Sequence, residues 1–192
     1  NDVIPDKDNV CNYFHLPMQS GSNDVLKKMN RYYTIEKYLE RANKLKEEIP
    51  GISLSTDIIV GFPTETEEDF QKTLQACRKV GFDSAFTFKY SPRPKTVAAK
   101  YPVIDDKIVQ DRFQRLLDEL YPTFNEKNKE YIGRTVKVLL ESESKNNPEI
   151  LTGRTDTYKL VHVRAPKELI GEIVKVKITA NTSFTITGDL VT

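Results

Sequence analysis

Asp57 has the most demanding setting in the chain. It stands in Leu54-Ser55-Thr56-Asp57-Ile58-Ile59-Val60, a run whose apolar end suits a buried strand. A carboxylate there must be paired or must face a polar cavity. Just beyond it, Gly61-Phe62-Pro63-Thr64-Glu65 is a sharp loop. Its Glu65 can accept a hydrogen bond from a ligand, or serve the N-terminus of the next helix. His15, Gln19, Ser20 and Ser22 crowd a second polar stretch, as ligand contacts or as partners for buried backbone near a strand end. Lys89-Tyr90-Ser91-Pro92-Arg93-Pro94-Lys95-Thr96 makes a third. Its basic tip, stiffened by two prolines, suits a phosphate contact or an ordinary solvated surface.

Other carriers of chemistry are absent. Cys11 and Cys77 stand alone, with no Cys-x-x-Cys, no paired His at metal spacing and no Walker-type loop. No catalytic residue and no metal ligand is assigned within the chain. Cys11 is expected to pack in a strand and Cys77 in a helix core, as free cysteines usually do. Two distant cysteines make no disulfide framework, so a reducing cytoplasm is the expected location.

The elements that must position these loops follow a βαβ rhythm. Val10 to Leu16 suits a short strand ended by Pro17, and Asp24 opens a short helix through Met29. Thr34 suits the N-cap of an amphipathic helix with Ile35, Tyr38, Leu39, Ala42, Leu45 and Ile49 on one face, stopped by Pro50-Gly51. Ile52 to Val60 reads as a strand buried on both faces. Thr66 and Asp69 resemble a capping box for a helix through Val80 that buries Phe70, Leu74 and Cys77. Ala85 to Tyr90 is a third strand. A helix from Asp105 to Leu120 turns Ile108, Phe113, Leu116, Leu117 and Leu120 inward, and Pro122 must kink or restart it.

The pattern changes after Tyr131. Thr135–Leu140, Leu151–Thr155, Lys159–Val163, Ile173–Ile178 and Phe184–Leu190 read as five short strands linked by Gly and Asn turns. The expected fold is α/β: a partial parallel barrel over residues 1–128, then a small OB-like antiparallel β-barrel over residues 129–192. In a parallel barrel the loops after the strands carry function.

Bulk properties narrow the classes. The 192 residues, 38% hydrophobic and 30% charged, can fill a core and argue against disorder. No apolar stretch is long enough to cross a bilayer. Net charge is only +1, and from Tyr131 onward 9 Lys and Arg against 7 Asp and Glu give +2. Any nucleic-acid contact must come from local placement of charge. The chain opens on Asn1-Asp2-Val3-Ile4-Pro5, without an initiator Met or a signal region, as expected of a fragment or a processed product.

Three strings occur in order: His15-Leu16-Pro17-Met18-Gln19-Ser20-Gly21-Ser22, Leu54 through Pro63, and Phe82-Asp83-Ser84-Ala85-Phe86-Thr87-Phe88-Lys89-Tyr90-Ser91-Pro92-Arg93-Pro94. Together they resemble the methylthiotransferase branch of the radical S-adenosylmethionine (radical SAM) enzymes. The third is most similar to the MiaB-type tRNA enzymes, which act on N6-isopentenyladenosine at position 37 of the anticodon loop. Ser84-Ala85-Phe86 and Arg93 favour that branch over sisters acting on an aspartate of ribosomal protein S12 or on threonylcarbamoyladenosine. Leu151-Thr152-Gly153-Arg154-Thr155 and Ile170-Gly171 resemble the TRAM domain that ends such proteins.

The resemblance implies S-adenosylmethionine and two 4Fe–4S clusters in the full-length protein. Clusters need thiolate ligands, and the family's two cysteine triplets are absent from this chain. It implies cofactor contacts at Gln19, Ser20, Ser22, Thr56, Asp57, Gly61, Glu65 and Ser91. For tRNA, placement of basic residues points to Arg93, Lys95, Arg154, Lys159, Arg164, Lys175 and Lys177. The chain is expected to be monomeric, away from membranes and inactive alone; the different-class alternative is a non-catalytic RNA-binding fragment. Where members often have Gly, this chain has Thr64 and Lys95, whose side chains restrict the backbone there.

Overall fold

Helix boundaries follow the capping chemistry. Thr34 accepts the Lys37 amide at the head of α2 (Ile35–Glu48). Thr66 and Asp69 close a full capping box at the head of α3 (Glu67–Val80), which ends on Gly81 in the left-handed region. The computed structural model describes residues 10–145 and 147–191. They form two compact units, one of Phe14–Pro50 with Leu54–Tyr121, the other of the described residues from Pro122 to Val191 with Gly51–Ser53 and residues 10–13.

A three-stranded sheet runs in the order β1 (Tyr13–His15), β2 (Ser53–Val60), β3 (Ser84–Lys89). β2 and β3 are parallel, with Asp57 opposite Phe86 and Ile59 opposite Phe88. The short α1 (Asn23–Lys28) and α2 link β1 to β2, and α3 links β2 to β3, which is the expected rhythm. Leu54, Ile58, Val60, Phe70 and Phe82 are all but fully buried. Each such side chain contributes about 1.5–3 kcal/mol relative to exposure. Cys77 is buried in α3 as expected, and burial pushes its thiol up to about 12. Cys11 is exposed instead of packed in a strand, because β1 begins only at Tyr13. Pro17 does end that strand, yet the chain rejoins the sheet where Gln19 bridges to Ile58.

α4 (Asp106–Lys129) corrects the sequence expectation: it passes through Pro122 as one helix. Pro122 sits on the exposed side. Loss of one backbone hydrogen bond is tolerated there while Leu116, Leu120, Phe124 and Asn128 continue a buried face at steps of four. Ile108, expected inward, is exposed, Phe113 and Leu117 are half-buried, and Arg112 takes the buried place.

The second unit contains a closed barrel of β4 (Thr135–Ser144), β5 (Asn147–Arg154), β6 (Leu160–Arg164), β7 (Ile173–Asn181) and β8 (Thr185–Leu190), in the order β4-β5-β6-β8-β7. Val138, Leu140, Leu151, Val161, Val163, Val176, Ile178 and Ile186 fill it. The barrel is not wholly antiparallel, since β6 and β8 run parallel. An odd number of strands closed into a ring cannot alternate direction at every seam, so one parallel pairing is unavoidable.

Candidate functional site

The loops leaving β1, β2 and β3 border a cavity of about 1320 Å³ lined, among others, by Gln19, Asp57, Ile59, Phe62, Tyr90, Ser91 and Arg93. The loop after β1 is held stiffly. The Met18 amide donates to Thr56 Oγ1 at 2.9 Å, the Tyr33 hydroxyl to the Pro17 and Met18 carbonyls at 3.1 and 3.0 Å, and the Tyr38 hydroxyl to the Leu16 carbonyl at 2.6 Å. Burial raises the pKa of both tyrosines, which keeps them protonated donors. Gln19 is pinned between the Asp57 carbonyl and the Ile59 amide, at φ +66°. Such strain in a non-glycine residue persists only where its surroundings fix it.

Asp57 lies on the strand face shared with His15. The His15 Nε2 stands 3.5 Å from the Asp57 carboxylate, and its Nδ1 is 2.7 Å from Ser55 Oγ. The Asp57 side chain keeps 28% of its exposure. Its carboxylate therefore remains available to a donor in the cavity.

The structure brings Gln19, Asp57, Ser91 and Arg93 together and turns the others inward. Ser22 Oγ caps α1 and donates to Asp69 at 2.6 Å, while Ser20 Oγ accepts the Ser22 amide at 3.2 Å. Burial works against ionised Asp69, but hydrogen bonds from Ser22 and Thr66 outweigh it and lower its pKa. Gly21 lies so close to α3 that a Cβ would sit 2.4 Å from the Lys72 carbonyl oxygen. Thr56 is fully buried under the same loop. Glu65 is buried, accepting from the Gly61 amide at 3.2 Å and from Arg112 at 3.0 Å. Burial pushes its carboxyl up, while the Gly61 amide and Arg112 pull against that. Gly61 itself turns at φ +78°, with the Val109 side chain 2.7 Å from where a Cβ would be.

The basic candidates also divide. Lys95 is exposed on its loop. On the barrel, Arg154 pairs with Glu141 at 3.3 Å and stacks on Tyr158, and Arg164 pairs with Glu149 at 2.8 Å. Lys159, expected at the surface, is 7% exposed and lies over the Tyr131 ring. Lys175 and Lys177 point outward from β7. Opposite Lys175 in the register lies Lys137, and opposite Lys177 lies Thr135 on one side and Asp189 on the other. Among the described residues Lys137, Lys175 and Lys177 make no ion pair. Sequence reasoning missed Lys137, although Val136-Lys137-Val138 carries the same alternation as β7. Among the described residues no three His, Cys, Asp or Glu side chains gather to hold a metal ion, and no helix is long and apolar enough to cross a membrane.

Comparison with known proteins supplies two domain matches. Residues 6–77 match the Radical SAM superfamily and residues 129–191 the TRAM domain. The chain is 56% identical, over 96% of its length, to a tRNA-2-methylthio-N(6)-dimethylallyladenosine synthase of Finegoldia magna. It is 51% identical, over 97% of its length, to the protein of that name from Clostridium tetani. It spans 40% and 42% of those two relatives. The fold is similar to that of the Radical SAM enzyme coproporphyrinogen III oxidase from Escherichia coli, with a TM-score of 0.51 at 17% identity, covering 76% of this chain and 41% of that one. The chain thus carries a Radical SAM segment that includes β1 and β2, and its closed barrel is a TRAM domain.

Proposed function

We propose that this chain is the part of a tRNA-2-methylthio-N6-dimethylallyladenosine synthase that positions cofactor and tRNA. The observation that carries the reading is the meeting of Gln19 from the loop after β1, Asp57 from β2, and Ser91 and Arg93 from the loop after β3 on one cavity towards the C-terminal ends of parallel strands. The cavity is large enough for a nucleoside-sized ligand. Asp57 and Gln19 offer acceptors for ammonium or ribose hydroxyl groups, and Ile59 and Phe62 offer apolar walls, so these residues fit S-adenosylmethionine. When bound, S-adenosylmethionine would supply the radical chemistry. The chain's own part is to orient the ligands and keep water from them. Cys11 and Cys77, one exposed and one buried, do not fit a cluster, whose ligands belong to the remaining length of such an enzyme. The closed barrel binds the tRNA through Lys175 and Lys177, with Lys137 beside them, and Arg93 and Lys95 reach the RNA near adenosine 37. The protein acts as a monomer in the cytoplasm.

RNA affinity of this chain across a salt series tests the reading. Phosphate contacts make binding fall as salt rises, with a slope set by their number. Lys175→Glu with Lys177→Glu should weaken tRNA binding several-fold and flatten the slope by about 1.5, from two lost contacts. Equal affinities and slopes would remove the RNA site from this face.

A further inference from the structure

Lys27, Lys28 and Arg31 stand exposed on one side of the cavity mouth, at the end of α1 and in the turn beyond it. Lys89 and Arg93 line the other side. Against these five cations the cavity has two carboxylates, Asp24 and Asp57, a local balance of +3 in a chain whose total is +1. Lys89 is engaged with Gln110 and the Phe113 ring. Among the described residues Lys27, Lys28 and Arg31 make no ion pair. Beside Arg31, the Tyr32 side chain is 93% exposed, with Asn30 Nδ2 donating to its hydroxyl at 3.4 Å.

Cations in the last turn of a helix offset its dipole, which accounts for Lys27 and Lys28 by a purely structural route. That route does not reach Arg31, which lies beyond the helix, and it gives no reason to hold an aromatic ring in water beside it. A rim of one sign around a concave site draws in a ligand of the opposite sign. A sulfonium cofactor gains nothing from such a rim, whereas a polynucleotide does. An unpaired base also needs a stacking partner, which an exposed tyrosine provides.

We propose that the end of α1 and the turn beyond it form an RNA-binding element, in which Lys27, Lys28 and Arg31 hold phosphates at the cavity mouth and Tyr32 stacks on an unpaired base. The inference rests on the proposed function and adds a second RNA surface to the one on the barrel. It is tested on the whole chain with two RNAs, a stem-loop carrying unpaired adenosines and a fully paired duplex, each over a salt series. Lys27→Glu, Lys28→Glu and Arg31→Glu together should weaken stem-loop binding at least tenfold and lower the salt slope by about two. The neutral set Lys27→Gln, Lys28→Gln and Arg31→Gln should act in the same direction, which guards against misfolding of the reversed set. Tyr32→Ala should cost roughly tenfold on the stem-loop, little on the duplex, and leave the slope unchanged. Wild-type binding with unaffected variants would overturn this element alone. No binding of either RNA by the wild type would overturn the proposed function as well.

Discussion

Thr64 and Lys95 hold backbone conformations that their side chains resist. Both lie in the left-handed region, at φ +78° and +70°, and both are exposed. The β-branched Thr64 is the more strained of the two. The loops have kept the geometry a glycine would adopt and carry its cost in strain of about 1–2 kcal/mol per residue. Thr64→Gly should therefore raise stability by roughly 1 kcal/mol, after the greater unfolded-state freedom of glycine is deducted, and Lys95→Gly by less. Urea unfolding of the two variants measures this, and a loss of stability would show that the side chains make compensating contacts. At this scale residue type alone identified candidates without separating their roles. Gln19, Asp57, Ser91 and Arg93 reach the cavity. Ser20, Ser22, Thr56 and Glu65, chosen on the same grounds, spend their polar atoms on neighbouring backbone and side chains. A hydroxyl that caps a helix and one that meets a ligand look alike in sequence.

Arg112 shows the same limit at the scale of elements. Its position on α4 reads as a charged surface residue, yet it is buried and joins that helix to the loop after β2 through Glu65 and to the first turn of α3 through Glu67. Glu67, more exposed, is lowered to about 2 chiefly by its hydrogen bond from Arg115. Glu65 is shifted the other way by burial. A carboxyl with a raised folded pKa favours the folded state at low pH and costs stability as pH rises through that pKa. Removing Arg112 leaves the buried Glu65 charge unpaired, which costs about 3–5 kcal/mol. Arg112→Ala should thus destabilise strongly near neutral pH and less near the ordinary carboxylate value of 4.5, where Glu65 takes up a proton. Thermal unfolding at the two pH values distinguishes this from a simple packing loss, which would be equal at both. Capping and periodicity made α2, α3 and the barrel strands legible in advance. α4 was misread because Pro122 is a local signal and the buried face on either side of it is not.

For the whole molecule, the net charge of +1 concealed where the cations lie. Folding sets Lys137 beside Lys175 on the barrel and gathers a basic rim at the cavity of the other unit. Alternation in the sequence marks the outward lysines of each strand, but only strand register sets Lys137 beside Lys175, and only loop convergence gathers the rim. The parallel pairing in the barrel was equally hidden, although closure of five strands requires it. The most direct measurement places this chain in the full-length protein, loaded anaerobically with iron and sulfide and supplied with S-adenosylmethionine and tRNA bearing N6-dimethylallyladenosine. Nucleoside analysis should then find the 2-methylthio derivative, and Asp57→Asn should abolish most of it without lowering the melting temperature. A cluster-loaded, tRNA-binding wild type that leaves the nucleoside unchanged would contradict the proposed function.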